Sequence, residues 1–375
     1  MSYALQTLWH EKARYAAGVG AVAFSATLIA LQVGLLLGLF ELTSIPVDHT
    51  SADIWVGDSE VQSVDLGRPI PVSTVARLDR PGVHQPELLY LTFASWTKPS
   101  GGSSLCTVVG GDTSAGAAGA ADVLTPDMRA ALTEPRAVVT DRSDLGKLGL
   151  GAVGDTGKVN GREVRLVGVV DGLKSLAAPW VFCSQTTARE LLSVPNPVYA
   201  DHTTYFLARC DSPARAGQVV AELRREYPTM SVYTAAEFSF ESRWYWLTRT
   251  KAGVALGYAA LLGLLVGSLI TAQTLYSATM GSAKEYATLL ALGIPRRRIY
   301  GLVLRQAVWV GVAGVLLAGP TVFALAAAAD AAGAKVTLKP VVLAGAAAVT
   351  LVAAVLSGLV ALRGVRRIEP MSLLR

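Results

Sequence analysis

The sequence predicts a multi-pass α-helical membrane protein: four transmembrane helices with a mixed α+β extracytoplasmic domain between helices 1 and 2. Three observations predict it. Hydrophobic residues make up 52% of the 375-residue chain and charged residues only 16%, a balance outside the ordinary soluble class. Four runs lack Asp, Glu, Lys, Arg and His: Tyr15 to Phe40, Ala252 to Ala283, Gln306 to Ala329 and Pro340 to Leu362. Each exceeds the roughly 20 apolar helical residues that cross a hydrocarbon core of about 30 Å. Between the first two runs, Glu41 to Lys251 has ordinary polar composition and the length of a folded domain.

Residues 1–14, MSYALQTLWHEKAR, place Leu5, Leu8 and Trp9 on one helical face, which predicts an amphipathic N-terminal helix at the membrane surface. Residues 15–40 form transmembrane helix 1. The apolar part of that run is too long for a secretory signal, and no small-residue cleavage site closes it, so it is expected to be retained. The domain 41–251 follows. Helix 2 then covers 252–280, a loop 281–298, helix 3 299–329, a short external loop 330–339, helix 4 340–362 and a tail 363–375.

Orientation follows from the flanking charges. Residues 1–14, 284–305 and 363–375 together carry 11 basic and 3 acidic residues. The positive-inside bias therefore expects both termini and the 281–298 loop in the cytoplasm and domain 41–251 outside. This accounts for the basic pI of about 9.1 and leaves no reason to invoke a nucleic-acid partner. Cys106, Cys183 and Cys210 all fall in the outside domain, where oxidation is permitted; one pair with a free thiol and no disulfide at all are both open. No Cys-x-x-Cys spacing occurs and the four histidines are scattered, so no metal site is expected.

Within the domain, β-rich runs recur at ADIWVGD, PVSTVARL, ELLYLTFASW, LCTVVGG, RAVVTD, PWVFCS and TTYFLARC, separated by turn residues. KVNGREVRLVGVV predicts a hairpin, with Asn160 and Gly161 supplying the positive φ angles of a two-residue turn. Ser212 and Pro213 mark a helix start, and that helix leads to the strand MSVYT in a β-α-β unit. GGDTSAGAAGAAD, Gly110 to Asp122, is small-residue-rich and predicts a flexible loop. From Glu237, EFSFESRWYWLTRTKAG predicts a helix running straight into transmembrane helix 2, a rigid stalk over 237–251. Its Trp244, Tyr245 and Trp246 suit the membrane interface.

The chemistry of an enzyme is missing from the pattern. GAVGDTGKV, Gly151 to Val159, approximates a phosphate-binding loop but has one residue too many between its glycines and Val159 in place of Ser or Thr; it predicts a tight turn. No Gly-x-Ser-x-Gly or His-Glu-x-x-His motif occurs. Gly34/Gly38, Gly253/Gly257 and Gly263/Gly267 have GxxxG spacing, which permits close helix approach within one chain or between two copies.

The loop 281–298 carries more than orientation charges. Tyr286, Leu289 and Leu290 fall at helical spacing, and Gly293 followed by Pro295 is a helix stop. The stretch KEYATLLALGIPRRRIYGLVLRQA, with the terminal RRIEPMSLLR, resembles the FtsX-type permease domain of MacB-like ABC transporters. The first span and its preface, LWHEKARYAAGVGAVAFSATLIALQVG, resemble the DevC-like branch. The resemblance implies a homodimeric permease, not itself an enzyme, driven by a separate ATPase subunit that binds ATP and Mg; no cofactor is expected on this chain. It implies that Lys284, Glu285, Tyr286, Leu289, Leu290, Leu292 and Gly293 face the ATPase, with Arg296, Arg297 and Arg298 beside them, and that force passes to the outside domain. It further implies residence in the cell (inner) membrane bilayer, export of an amphiphile, lipid or peptide, and a possible periplasmic adaptor protein and outer-membrane duct. The alternative within the same group is a non-transporting regulator of an extracytoplasmic hydrolase.

Overall fold

The computed structural model describes residues 12–366 except 85, 176–177, 282 and 332–333. The amphipathic N-terminal segment expected over 1–14 lies almost wholly outside the described residues, as does most of the terminal tail. The chain divides into two compact units, 39–250 and a membrane unit of 1–38 with 251–375.

The first element, α1 (Lys12–Asp48), is one unbroken helix. At 1.5 Å per residue it is about 55 Å long, well beyond the apolar core of a bilayer. Its last turns enter the mixed domain, where Leu42, Ile45 and Val47 are buried in the main core.

The mixed domain is built on strands β1 (Ile54–Asp58), β2 (Ile70–Pro71), β3 (Glu87–Thr97), β4 (Ser103–Gly111), β5 (Ala137–Asp141), β6 (Thr156–Val159), β7 (Arg162–Val170), β8 (Trp180–Ser184), β9 (His202–Thr203), β10 (Tyr205–Ala208) and β11 (Met230–Thr234). Nine of them form one sheet in the order β11-β1-β10-β3-β4-β8-β5-β7-β6. Trp96 of β3 also pairs with Val159 of β6, which closes six strands into a ring and removes two exposed edges. Its helices are α2 (Pro126–Ala131), α3 (Leu145–Leu148), α4 (Gln185–Ser193), α5 (Pro213–Glu226) and α6 (Ala235–Arg249).

Three cores follow from the period-two burial of these strands. The alternate side chains Tyr90, Ala94 and Trp96 of β3, with Cys106 and Val108 of β4, share one core with α4. Leu89, Leu91 and Val109 face the opposite core, together with α1 and Phe238 of α6. There Trp55 meets Tyr205 edge-on at 5.5 Å and Tyr233 stacks on Phe238 at 5.0 Å. The third core packs α5 on β1, β10 and β11. Since β1 pairs antiparallel with both β10 and β11, the β-α-β unit is split, with β1 between its two parallel strands.

Several sequence expectations are met and others corrected. The hairpin turn has φ of 48° at Asn160 and 81° at Gly161. GAVGDTGKV is a turn in which the amides of Gly151 and Ala152 donate to Asp155 at 2.7 and 3.1 Å; these bonds hold the Asp155 carboxyl below its ordinary pKa. PVSTVARL is a 3-10 helix over Val72–Leu78 rather than a strand. Val72, Val75 and Leu78 recur every third residue, the period of that helix. The expected cap at Ser212 makes no side-chain bond. The small-residue segment 110–122 is packed in its second half, where Ala117, Ala118, Ala120 and Ala121 are buried, while Ser114, Ala115 and Gly116 are exposed. The amides of Ala118 and Gly119 donate to the Glu87 carboxylate at 2.6 and 3.0 Å. Small side chains serve close approach there, since a Cβ on Gly119 would lie 2.9 Å from Leu207.

The expected continuous stalk is interrupted. Thr234 and Glu237 form a capping box that starts α6, but Thr250 is extended at φ −98°, ψ 146°. A new helix, α7 (Lys251–Gly281), begins after it.

The membrane unit adds α8 (Ala283–Ala291), α9 (Arg296–Ala331) and α10 (Pro340–Arg366). Among the described residues, four helices are long and apolar enough to cross a membrane, over Ala16–Asp48, Gly253–Thr274, Arg296–Ala331 and Pro340–Val360. Two GxxxG pairs pack within the chain. A Cβ on Gly267 would lie 2.2 Å from Ser25 and one on Gly263 2.8 Å from Leu28, while one on Gly38 would meet the Lys335 carbonyl at 2.0 Å. Close backbone approach is what drives helix association where lipid offers no hydrophobic gain. Gly257 faces open space.

Candidate functional site

The charged interruption between the second and third apolar runs folds as a helical turn. α8 ends in a Schellman motif: Gly293 adopts φ +84°, its amide donates to the Leu290 carbonyl at 3.0 Å, and the Ile294 amide reaches back to Leu289 at 3.1 Å. A left-handed residue at this position is natural to glycine. Pro295 then precedes α9, and the Arg298 amide donates to the Pro295 carbonyl at 2.9 Å.

Packing sorts the predicted contact residues. Ala287, Ile299 and Val303 are buried, and Leu289, Leu290, Ile294 and Tyr300 pack against them. Leu289 and Leu290 are thus half-buried in the turn's own cluster, where they hold α8 against the start of α9. Leu292 is 75% exposed, and Gly293, Arg296, Arg297 and Arg298 are exposed beside it. Lys284, Glu285 and Tyr286 lie in α8; their side chains fall outside the described residues. The turn thus exposes one leucine and, a few residues on, three consecutive arginines.

A second constellation sits in the mixed domain where α1 ends and α6 runs. The Asp48 carboxylate accepts from Ser44 Oγ, Ser239 Oγ and an Arg243 amino group, each at 2.6 Å. Arg243 Nε donates to Ser44 Oγ at 2.9 Å. Ser242 Oγ accepts the Val64 amide at 3.0 Å, and Trp246 Nε1 donates to Asp65 at 3.2 Å. These bonds tie α1, the 3-10 turn Val64–Leu66 and α6 together. The sequence reading missed Asp48 and Arg243; their opposite charges beside the two chain exits were the available signal.

The three aromatic residues of the triplet point to different surroundings within the mixed domain. Trp244 is 51% exposed and stacks on Phe240 at 6.2 Å. Tyr245 and Trp246 turn toward a groove of about 360 Å³ that Leu42, Leu66, Phe93 and Trp180 also line.

Cys106, Cys183 and Cys210 are free thiols and buried. Burial pushes Cys106 up to about 12 and raises Cys183 and Cys210 as well. Among the described residues, no group of three or more His, Cys, Asp and Glu is placed to hold a metal ion.

The membrane unit and its turn form an apolar helical assembly. Residues 257–370 match the family model described as FtsX-like permease C-terminal, which spans the turn and the last three apolar helices. No curated protein matches the chain significantly. Among solved structures, the chain is similar to the periplasmic region of MacB from Actinobacillus actinomycetemcomitans, at 11% identity over 52% of this chain and 94% of that one, TM-score 0.36. It is also similar to the extracellular domain of the noncanonic ABC-type transporter YknZ from Gram-positive bacteria, at 11% identity over 49% and 99%, TM-score 0.34. A domain of a putative permease protein from Porphyromonas gingivalis aligns at 13% identity over 50% and 91%, TM-score 0.30.

Proposed function

We propose that this chain is the membrane subunit of a MacB- or FtsX-like ABC transporter, closest to the DevC-like branch, that couples a separate ATPase to movement of its mixed domain. The observation that carries the reading is the match of residues 257–370 to the FtsX-like permease C-terminal family. It covers a turn that exposes one leucine and, a few residues on, three arginines. The charge asymmetry of the flanks supports placing that turn and both termini in the cytoplasm and the mixed domain outside. ATP and Mg belong to the partner, and the ATPase grips Leu292 and Arg296 to Arg298 while Leu289 and Leu290 keep the turn stiff. The chain works as a homodimer in the inner membrane and exports an amphiphile, lipid or peptide, with an adaptor and outer-membrane duct as further partners.

The separation of buried from exposed leucines sets the test. Leu292→Asp should leave membrane insertion and yield unchanged and lower co-purification of the partner ATPase by about tenfold, as expected when a charge replaces an apolar anchor at an interface. Full recovery of the ATPase with Leu292→Asp would refute the grip.

A further inference from the structure

We infer that the first turns of α9 bind the phosphate headgroup of an anionic membrane phospholipid. The inference rests on the membrane reading of α9 and not on the ATPase reading. Arg296, Arg297, Arg298 and Arg305 fall within the first ten residues of the helix, and no Asp or Glu occurs from 286 to 329. All four arginines are exposed. Among the described residues, none of their guanidinium groups makes an ion pair or a hydrogen bond. In the mixed domain, by contrast, Arg80, Arg142, Arg165 and Arg224 each face a carboxylate. Cations gathered without a counter-charge repel one another and attract an anion from outside the chain.

Three of the four surround a notch. Gly301 carries no side chain, and a Cβ built there would meet nothing within 4 Å. Residues three and four apart are neighbours on a helix surface, with about 5 to 6 Å between their Cβ atoms. Arg297 and Arg298 therefore border Gly301 on the turn before it, and Arg305 borders it on the turn after. Each guanidinium presents a planar fork of donors that matches a phosphate bidentately. A phosphate seated over Gly301 comes within reach of all three. Arg297 and Arg298 border the proposed ATPase contact as well, whereas Arg305 belongs to the notch alone.

The face that carries the notch gives the source of the phosphate. α9 buries Val303, Ala307, Val310 and Gly314, a stripe at helical spacing. Arg298, Arg305, Trp309 and Leu316, at intervals of seven, four and seven, form a second stripe on the other side of the helix. Trp309 is 40% exposed and Leu316 71%, and both belong to the apolar run that begins at Gln306. An uncovered apolar stripe on a membrane-crossing helix meets hydrocarbon. Arg305 is where that stripe leaves the run, so the three guanidinium groups lie at headgroup depth. Trp309, one turn deeper, favours the same interface. A lipid satisfies the whole stripe, with its phosphate at Gly301 and its acyl chains along Trp309 and Leu316. A free phosphate uses the arginines only. A zwitterionic headgroup brings an ammonium to a site already cationic, which selects an anionic lipid.

The test uses the full-length chain in a nonionic detergent, with bound lipid counted by native mass spectrometry as phosphatidylglycerol or phosphatidylcholine is added. Phosphatidylglycerol should bind about tenfold more tightly than phosphatidylcholine, and excess inorganic phosphate should not displace it. Arg305→Gln should weaken phosphatidylglycerol binding about fivefold, the worth of one arginine beside an anionic lipid. Gly301→Leu keeps every charge but fills the notch, and should weaken binding by a similar factor; this variant separates a site from diffuse attraction. Arg225→Gln, which removes an exposed cation of the mixed domain, should leave binding unchanged. If Gly301→Leu alters the helical content by circular dichroism, Gly301→Glu replaces it, with a larger expected loss. Equal binding of the two lipids overturns the inference, as does displacement by inorganic phosphate or unchanged binding in Arg305→Gln or in the Gly301 variant. Reduced ATPase co-purification in Arg305→Gln with phosphatidylglycerol binding intact would assign that arginine to the partner protein and overturn the inference too. Leu292→Asp should leave lipid binding unchanged, so the two readings fail separately.

Discussion

Removing the Asp48 carboxylate should separate the end of α1 from α6. In Asp48→Ala the acceptor of three hydrogen bonds disappears, those from Ser44, Ser239 and Arg243. At about 1 kcal/mol net per bond the unscreened loss is about 3 kcal/mol. The pair is not fully buried, with side chains 37% exposed at Arg243 and 34% at Asp48, so solvent screens its charge component. We therefore expect a loss of about 2 kcal/mol. Arg243→Ala alone should cost about 1 kcal/mol, since the two serines still hold the carboxylate. Because the groups share one network, the double variant should be less destabilised than the sum of the singles by about 0.5 to 1 kcal/mol. The assay is urea unfolding of the full-length chain in detergent, followed by tryptophan fluorescence, with the two singles and the double measured at equal detergent concentration. A shift below about 0.5 kcal/mol for Asp48→Ala, within the range of ordinary surface substitutions, would refute the reasoning. Strict additivity of the pair would do so as well. In the proposed transporter the same variant should bind its ATPase normally yet lose coupling of hydrolysis to the outside domain.

The three native thiols should be silent toward membrane-impermeant maleimide in the folded chain, because the thiolate is the reactive form and all three are buried; rapid labelling of any of them would contradict the packing. That silence lets introduced cysteines report topology: Asp112→Cys should label from outside intact cells and Leu292→Cys only after permeabilisation, and the reverse would overturn the orientation. Cys106 also carries a pH dependence. Its pKa is raised in the folded state to about 12 from about 8.5 in an unfolded chain, so the unfolded state loses its proton first. The contribution is intact below about 8.5 and is lost as pH rises toward 12. Cys106→Ala should remove this part of the alkaline destabilisation, measured as the difference in urea midpoint between pH 8 and pH 10.5; an unchanged difference would count against it.

Part of the candidate site was legible in one dimension. Gly293 and Pro295 marked the end of α8 because only a residue tolerant of positive φ and one lacking an amide donor fit those places. The roles of the leucines were not legible. Leu289, Leu290 and Leu292 have similar sequence surroundings, and only the packing of Ile299 and Val303 from the next helix decides that two are covered and the third is exposed. The break at Thr250 was hidden for a similar reason: no Pro or Gly announces it, and helical propensity through RWYWLTRTK argues for continuity.

The sequence by itself determined the four apolar helices, the side their charges favour, the hairpin at Asn160 and Gly161 and the turn at Gly293. Those features rest on hydrophobic length, charge and backbone conformation, which are local properties of the residues. Only the tertiary structure decided that the first helix continues into the core of the mixed domain and that six strands close into a ring. It alone packed the second half of the small-residue segment against Glu87 and drew Asp48, Ser239 and Arg243 into one network. These depend on residues as many as 195 positions apart, as Asp48 and Arg243 are. Contacts at that range are set by how burial and hydrogen bonding are satisfied across the whole domain at once, which no local pattern encodes.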